Sequence, residues 1–491
     1  MAQVENLENY FKPFRDNILG IDQEFHSPYG QKKIIYTDWT ASGRLYVPIE
    51  NSMLHDFGPF VANTHTDTTV SGTTMTQAYA KARSIIKRHV NANNTDVLIT
   101  TGTGMTGAIN KFQRILGLKV PEQYKNRITI PENEKPVIFI SHMEHHSNQT
   151  SWLETLATVE VIPCNNEGLL CIENLHSLLT KYQNRKVKIA SITSCSNVTG
   201  IKTPYHEVAK IMHQNKGLCF VDFACSAPYI NINMHPEDPE MSLDAIFFSP
   251  HKFLGGPGSS GVVVFNKDLY QNMIPDCPGG GTVDWTNPWG EHKFIDDIEI
   301  REDGGTPGFL QVIRTSLAIR LKEKMGVDNI LNREKELLDY FFTRMKDLAT
   351  ISILAPDHQN RLAVISFNIE GLHHDLAVRI LNDRFGIQAR GGCSCAGTYG
   401  HYLLEIDQKR SSAIIEKISC GLETMKPGWI RISFHPTTSN EELVFVCDAI
   451  ETIAANALVW EKDYELQGQH YTHISGKDEA LQPLQESWFE V

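Results

Sequence analysis

Ala245-Ile246-Phe247-Phe248-Ser249-Pro250-His251-Lys252 leads through Gly255-Gly256-Pro257-Gly258-Ser259-Ser260-Gly261 into Val262-Val263-Val264-Phe265, and this stretch decides the fold. Its two short apolar runs are rich in β-branched and aromatic residues. Such runs are strands buried on both faces of a sheet. Between them stand a hydroxyl, a histidine, a lysine and a turn rich in glycine. A lysine at the mouth of a buried strand is exceptional, because lysine is almost never fully buried unless it is paired or neutralised. Taken out of water, its amine is freed for Schiff-base chemistry. The plainer reading is a lysine that snorkels beside a glycine turn.

Working outward, four more runs have the same character: Val97-Leu98-Ile99-Thr100, Val137-Ile138-Phe139-Ile140, Val187 to Ile192, and Cys219-Phe220-Val221-Asp222. Helix-like segments separate them. The expectation is an α/β fold with a largely parallel sheet over about residues 36–265. Ligands of such sheets bind at the carboxyl ends of the strands. Gly279–Gly308 reads as an ordered loop. A long helical pattern follows from Leu310 to about Leu348. Then come a strand at Leu362–Phe367, a helix near Asp375–Phe385, a strand at Trp429–Phe434 and a helix from about Asn440 to Trp460. The expected division is an N-terminal segment 1–35 packing with the small domain, a large domain 36–308, a small α/β domain 309–460, and a polar tail 461–491.

Composition narrows the function. The 491 residues are 41% hydrophobic and 21% charged, an ordinary globular balance. A net charge of −13 argues against nucleic acid and anionic membrane as partners, since both select clustered Lys and Arg. Ten cysteines scattered from Cys164 to Cys447 suit a reducing compartment rather than a disulfide-stapled secreted domain. No signal peptide is visible at the N-terminus. No stretch reads as the roughly 18 to 20 apolar residues that span a bilayer. A cytoplasmic protein is expected.

Several polar residues fall just after the strands. Thr101-Gly102-Thr103-Gly104-Met105-Thr106 joins a strand to a helix, and free backbone N–H groups there make a phosphate cradle. Ordinary strand-to-helix turns look the same. It is not a P-loop, for no Lys-Ser/Thr pair follows, and no Gly-x-Gly-x-x-Gly points to a nicotinamide enzyme. Asp222 ends a buried strand, as a helix cap, a buried ion pair, or the partner of a protonated pyridine nitrogen. His142, His145 and His146 lie close together, but nothing fixes a metal geometry around them, so no metal is expected.

Taken together, these motifs resemble the class V aminotransferase family of pyridoxal-5′-phosphate (PLP) enzymes, most closely its cysteine desulfurase and selenocysteine lyase branch. The resemblance covers roughly residues 36–455. It implies fold type I, with a mainly parallel seven-stranded sheet in the large domain. Lys252 would carry PLP as a Schiff base and move protons, and Asp222 would hold the pyridine nitrogen. Gly102, Thr103, Gly104, Ser249 and His251 would take the phosphate. Met143-Glu144-His145-His146-Ser147-Asn148 resembles the family segment whose second histidine stacks on the ring, which falls on His146. Asn197 would lie near the cofactor's phenolic oxygen and the substrate.

The same resemblance gives Arg431 the substrate α-carboxylate, for which a planar guanidinium is well shaped. A structural ion pair is its plainer reading. Asp38-Trp39-Thr40-Ala41-Ser42 resembles the N-terminal substrate loop, which puts Thr40 and Ala41 at the substrate, and His65 matches a histidine facing it. Gly304-Gly305-Thr306-Pro307 resembles a loop whose threonine reaches the phosphate of the partner subunit, which implies a homodimer.

Arg390-Gly391-Gly392-Cys393-Ser394-Cys395-Ala396 resembles the loop of the desulfurating nucleophile. Cys395 takes that position, to carry a persulfide for a sulfur-acceptor protein, and Arg390 supports it. Cys393 replaces a common histidine. The Cys-x-Cys pair either relays sulfur, forms a redox disulfide, or is inert. Cys225 stands where a glutamine usually contacts the cofactor, and a thiol is a weak donor. The substrate is expected to be cysteine or another α-amino acid. The alternatives are an aminotransferase, epimerase or β-lyase reaction, and a silent PLP-fold binding protein.

Overall fold

The computed structural model describes residues 6–102, 104–420, 426–475 and 487–490. It divides into two compact units. The larger takes Ser42–Ser196 and Lys202–Val327; the smaller takes the chain before Ser42, the short segment Asn197–Ile201, and the chain from Asp328 on.

Among the described residues, seven strands form the sheet of the larger unit: β1 (Asp96–Thr101), β2 (Val137–Ser141), β3 (Thr158–Ile162), β4 (Lys188–Thr193), β5 (Leu218–Asp222), β6 (Ala245–Phe248) and β7 (Gly261–Asn266). Their order is β1-β7-β6-β5-β4-β2-β3. The pairs from β6 to β3 are parallel, and β7 runs antiparallel to both of its neighbours. Helix Met105–Ile115 lays Ala108, Ile109, Phe112 and Ile115 against Phe220, Phe247 and Phe265 of the sheet. Burying side chains of this size contributes about 1.5–3 kcal/mol each.

The edge strand β3 is only partly buried over Thr158–Val161. Its mixed Thr-Val-Glu-Val-Ile pattern explains why it does not stand out as an apolar run.

The long helical pattern after Leu310 is two helices, Phe309–Met325 and Val327–Met345. Gly326 separates them at φ +75°, a conformation glycine adopts without a Cβ penalty. The first belongs to the larger unit and packs on helix Val70–His89. Within Gly279–Gly308 the chain forms a small hairpin, Val283–Thr286 with His292–Phe294, and a short helix Ile298–Arg301.

The smaller unit has a four-stranded antiparallel sheet: β8 (Ile351–Ile353), β9 (Val364–Ile369), β10 (Arg390–Gly392) and β11 (Trp429–Ser433), ordered β8-β9-β11-β10. Helices Val327–Met345, His374–Phe385 and Asn440–Trp460 supply apolar faces to its core. The last of these corrects the expectation that no stretch has the length and apolarity to span a bilayer, for its mean hydropathy reaches 1.6. Its apolar residues Leu443, Val446, Ile450 and Ile453 are spent on the core of this unit.

The N-terminal helix Leu7–Arg15 buries Phe11 and Phe14. Both guanidinium nitrogens of Arg15 donate to Glu442, and Glu8 caps Asn440. Beyond Trp460 the tail includes a hairpin, Tyr464–Gln467 with His470–His473.

Candidate active site

In the larger unit the strand ends bring chemistry together. Asp222 closes β5, is buried, and accepts one hydrogen bond from the Ala224 N–H at 2.8 Å. Burial raises its pKa from 3.8 to about 6, while the positive charge of Lys252 pulls the other way. Lys252 ends the short turn Pro250–Lys252 that follows β6 and is half-buried. Two glycines let the chain close around this turn. A Cβ on Gly256 would stand 1.9 Å from the Pro250 carbonyl oxygen, and one on Gly261 2.0 Å from that of Gly104.

Gly104 opens helix Met105–Ile115, and a Cβ there would meet Ser249 Oγ at 3.1 Å and the His251 ring at 3.5 Å. Met105 N–H donates to Ser249 Oγ at 2.8 Å, which leaves the hydroxyl proton of Ser249 free to point elsewhere. His251 is held neutral, its pKa lowered to about 4 by burial and by Lys252. A cavity of about 680 Å³ is lined by Gly102, His251, Ser259 and Thr306 among others. Ser259 Oγ is buried there without a hydrogen-bond partner.

His146 begins helix His146–Leu153, and burial lowers its pKa as well. Beneath it lies Glu144, fully enclosed. Its carboxyl accepts from Ser141 Oγ, Asn148 Nδ2 (2.7 Å) and Thr193 N–H (2.8 Å), so it ties the start of this helix to β2 and β4. Burial, with the nearby charge of Asp222, raises its pKa to about 7. Cys225 is buried, and its thiol donates to the Ser196 carbonyl at 3.7 Å. His65 is exposed at φ +71°, with its ring beside Gly281.

The smaller unit gathers a second set. Arg390 and Arg431 lie directly opposite each other on β10 and β11. Like charges so placed repel, and Asp38 relieves them: Oδ1 accepts from Arg431 at 2.7 Å and Oδ2 from Arg390 at 3.0 Å. Arg431 is 2% exposed, also donates to the Asn197 carbonyl at 3.1 Å, and keeps its Nε unpartnered. Asn197 donates through Nδ2 to the Ser394 carbonyl at 2.7 Å, while its Oδ1 is buried and unsatisfied. The Thr40 N–H donates to Ser433 Oγ at 3.0 Å, its own hydroxyl has no partner, and Ala41 N–H turns back onto Asp38.

Ser394 and Cys395 are both left-handed, at φ +50° and +55°. Trp429 Nε1 donates to Ser394 Oγ at 3.2 Å, and Cys395 is exposed.

The structure thus groups Lys252, Asp222, Gly102, Gly104, Ser249, His251 and Thr306 in one unit, and Arg431, Asn197, Arg390, Thr40 and Cys395 in the other. Thr103 lies outside the described residues. Sequence reasoning missed Asp38 as the carboxylate between two arginines, and Glu144 as the anchor below His146. Both stand inside motifs that drew notice for their neighbours. It also missed Ser394 and Trp429, whose contacts join residues distant in the chain.

The model of the family described as aminotransferase class-V matches residues 35–445. A protein of Halalkalibacterium halodurans described as a probable cysteine desulfurase is 30% identical over 381 residues, 77% of this chain and 86% of that one. A probable cysteine desulfurase of Staphylococcus aureus is 31% identical over 370 residues, 74% and 84% of the two chains. Among solved structures, the apo cysteine desulfurase of Thermococcus onnurineus NA1 superposes with a TM-score of 0.71 at 22% identity, covering 90% of this chain and 98% of the other. A cysteine desulfurase of Escherichia coli gives 0.69 at 20%, covering 91% and 99%. The fold is therefore that of the type I PLP enzymes, and the chain belongs to the PLP-dependent class V aminotransferase family, in its cysteine desulfurase branch.

Proposed function

We propose that this protein is a cysteine desulfurase that uses PLP on Lys252 and moves the sulfur of cysteine onto Cys395, releasing alanine. The residues present fit the cofactor. Gly104, Ser249 and His251 leave a space that a single added Cβ would fill, at the N-terminus of helix Met105–Ile115. The buried Asp222 carboxyl has one oxygen engaged and gains from a cation. When bound, PLP supplies the electron sink that allows bonds at the substrate's α-carbon, and then the bond from Cβ to sulfur, to break.

The chain's own groups do the rest. Lys252 Nζ would hold the cofactor, and its free amine would carry the Cα proton. Asp222, ionised above about pH 6, accepts from the ring nitrogen. His146, kept neutral, offers its face to the ring, on a helix start fixed by Glu144. Ser249 and the neutral His251 would donate to phosphate, with Thr103 and the N-terminus of helix Met105–Ile115. Arg431 takes the substrate carboxylate, with Asn197 Oδ1 and the Thr40 hydroxyl as unspent polar atoms toward ligand. Ala41 and His65 complete the substrate's surroundings, and Cys225 lies at the cofactor in place of a stronger donor.

The active unit is a homodimer in which Thr306 reaches the partner's phosphate. Exposed Met273, Ile274, Trp285 and Trp289, on the stretch leading to Thr306, support a second copy there. A protein thiol is the sulfur acceptor.

The observation that carries desulfuration over the other reactions of the family is Cys395, an exposed thiol on a turn held by Ser394. The thiolate attacks the substrate sulfur; the new S–S bond leaves a persulfide, and alanine keeps the electrons of the broken C–S bond. Alanine and sulfide formed from cysteine are measured in wild type and Cys395→Ser. A loss of about 100-fold or more is expected in the variant. Equal rates would remove the persulfide route through Cys395 and leave the PLP chemistry intact.

A further inference from the structure

We propose that Cys393 is a second working thiol, which takes the sulfane sulfur from Cys395 and holds it for the acceptor. The inference rests on the reading of Cys395 above and goes beyond it. Ala396 N–H donates to the Cys393 carbonyl at 3.0 Å, closing a four-residue turn over Cys393–Ala396. Its two central residues, Ser394 and Cys395, are both left-handed, the signature of a type I′ turn. Such turns favour Gly, Asn and Asp. Two non-glycine residues there cost about 1–2 kcal/mol each, so other contacts must hold this shape.

Ser394 provides them. Its carbonyl accepts from Asn197 and its hydroxyl from Trp429 Nε1. The residue between the two cysteines is therefore the fixed one. Its flanking thiols are an exposed Cys395 and a half-buried Cys393. Two peptide units separate their Cα atoms by at most about 7 Å even when extended, and a tight turn brings them closer, into the range where two cysteine sulfurs meet.

Both thiols line one pocket of the smaller unit, about 430 Å³, together with Arg390, Lys426 and His470. A shared pocket gives one incoming acceptor thiol access to both sulfurs. Nothing of the kind is needed for a cysteine that only fills space.

The step balances without an oxidant or reductant. The Cys393 thiolate attacks the outer sulfur of the Cys395 persulfide. The S–S bond to Cys393 forms as the S–S bond to Cys395 breaks, and Cys395 leaves as thiolate and takes up the proton that Cys393 gave away. An acceptor thiol then removes the sulfur from Cys393 in the same way. Cys395 is freed for another substrate while the first sulfur still waits in the pocket.

The test uses the PLP-loaded enzyme treated with cysteine in the absence of added reductant, quenched with iodoacetamide and digested with trypsin. Both cysteines fall on the peptide Gly391–Lys409, so fragment ions assign the extra sulfur to one or the other. In wild type most of it is expected on Cys393. In Cys393→Ser it is expected to stay on Cys395, with sulfide release to dithiothreitol falling about tenfold. Extra sulfur found only on Cys395 in wild type overturns the proposal, and this reading needs no variant to fold. So does a Cys393–Cys395 disulfide formed with release of one sulfide, which would make Cys393 a resolving thiol instead. Cys395→Ser separates the layers: alanine still formed there at the wild-type rate would sink the reading of Cys395 as the nucleophile, whereas failure of the relay alone leaves that variant inactive.

Discussion

In the larger unit Asp222, Glu144 and His251 are shifted chiefly by enclosure, whereas in the smaller unit Arg390, Asp38 and Arg431 form a row of alternating sign. Enclosure pushes Asp222 and Glu144 up to about 6 and 7 and His251 down to about 4, each toward its neutral form. In the row, Asp38 instead sits between two guanidiniums and gives the buried Arg431 a counterion. A buried group without a counterion is stabilised by whatever ligand brings one. A row with two cations and one anion has a single positive charge left over and selects an anion. The first arrangement suits a cofactor with a protonated ring nitrogen, and the second suits a carboxylate.

The sharpest way to break this contrast is Asp222→Asn. Loss of the ring-nitrogen partner is expected to lower kcat by about 10²–10³-fold. The apo protein should respond in the opposite sense. Between pH 3.8 and about 6 the folded state keeps a proton on Asp222 that the unfolded state has lost, so this group makes stability fall as pH rises through that window. Asparagine has no such term. Urea unfolding of apo variant and apo wild type should agree near pH 3.8 and diverge in favour of the variant by roughly 3 kcal/mol above pH 6. A variant no more stable at pH 7.5 would show that Asp222 already has its counterion within the protein.

Next in size is Arg431→Lys. It keeps the charge and loses the planar fork, so kcat/KM for cysteine should fall by about 100-fold, mainly through KM. An unchanged KM would assign the row to structure alone. Trp429→Phe is the mildest. It keeps the ring and deletes the bond to Ser394, at about 1 kcal/mol of stability by thermal unfolding. Persulfide yield should fall a few-fold. A full yield would mean that the Cys393–Ala396 turn holds without Trp429.

Legibility followed the same divide. Strands β1, β2, β4, β5, β6 and β7 were readable within a residue or two, because strands buried on both faces are continuous apolar runs. Lys252 and Asp222 were readable because each interrupts such a run. Strand β3 escaped, since an edge strand needs burial on only part of its length. The break at Gly326 escaped too, as helical periodicity continues on both sides of it. In the smaller unit Arg431 and Cys395 came from motif resemblance, but what holds them did not. Asp38, Asn197 and Trp429 act across gaps of 393, 197 and 35 residues from their partners, and no local pattern records such pairings.

The salt bridge of Arg15 to Glu442 spans 427 residues, and that separation has a meaning in time. At synthesis rates of roughly 5–20 residues per second, Glu442 emerges roughly 20–85 s after Arg15. Through that interval the segment Leu7–Arg15 lacks the Glu442 carboxylate that Arg15 binds and the Asn440 groups that Glu8 accepts from. A helix made early is thus tied down late. A chain stopped before Asn440 would leave Glu8 and Arg15 without these partners indefinitely.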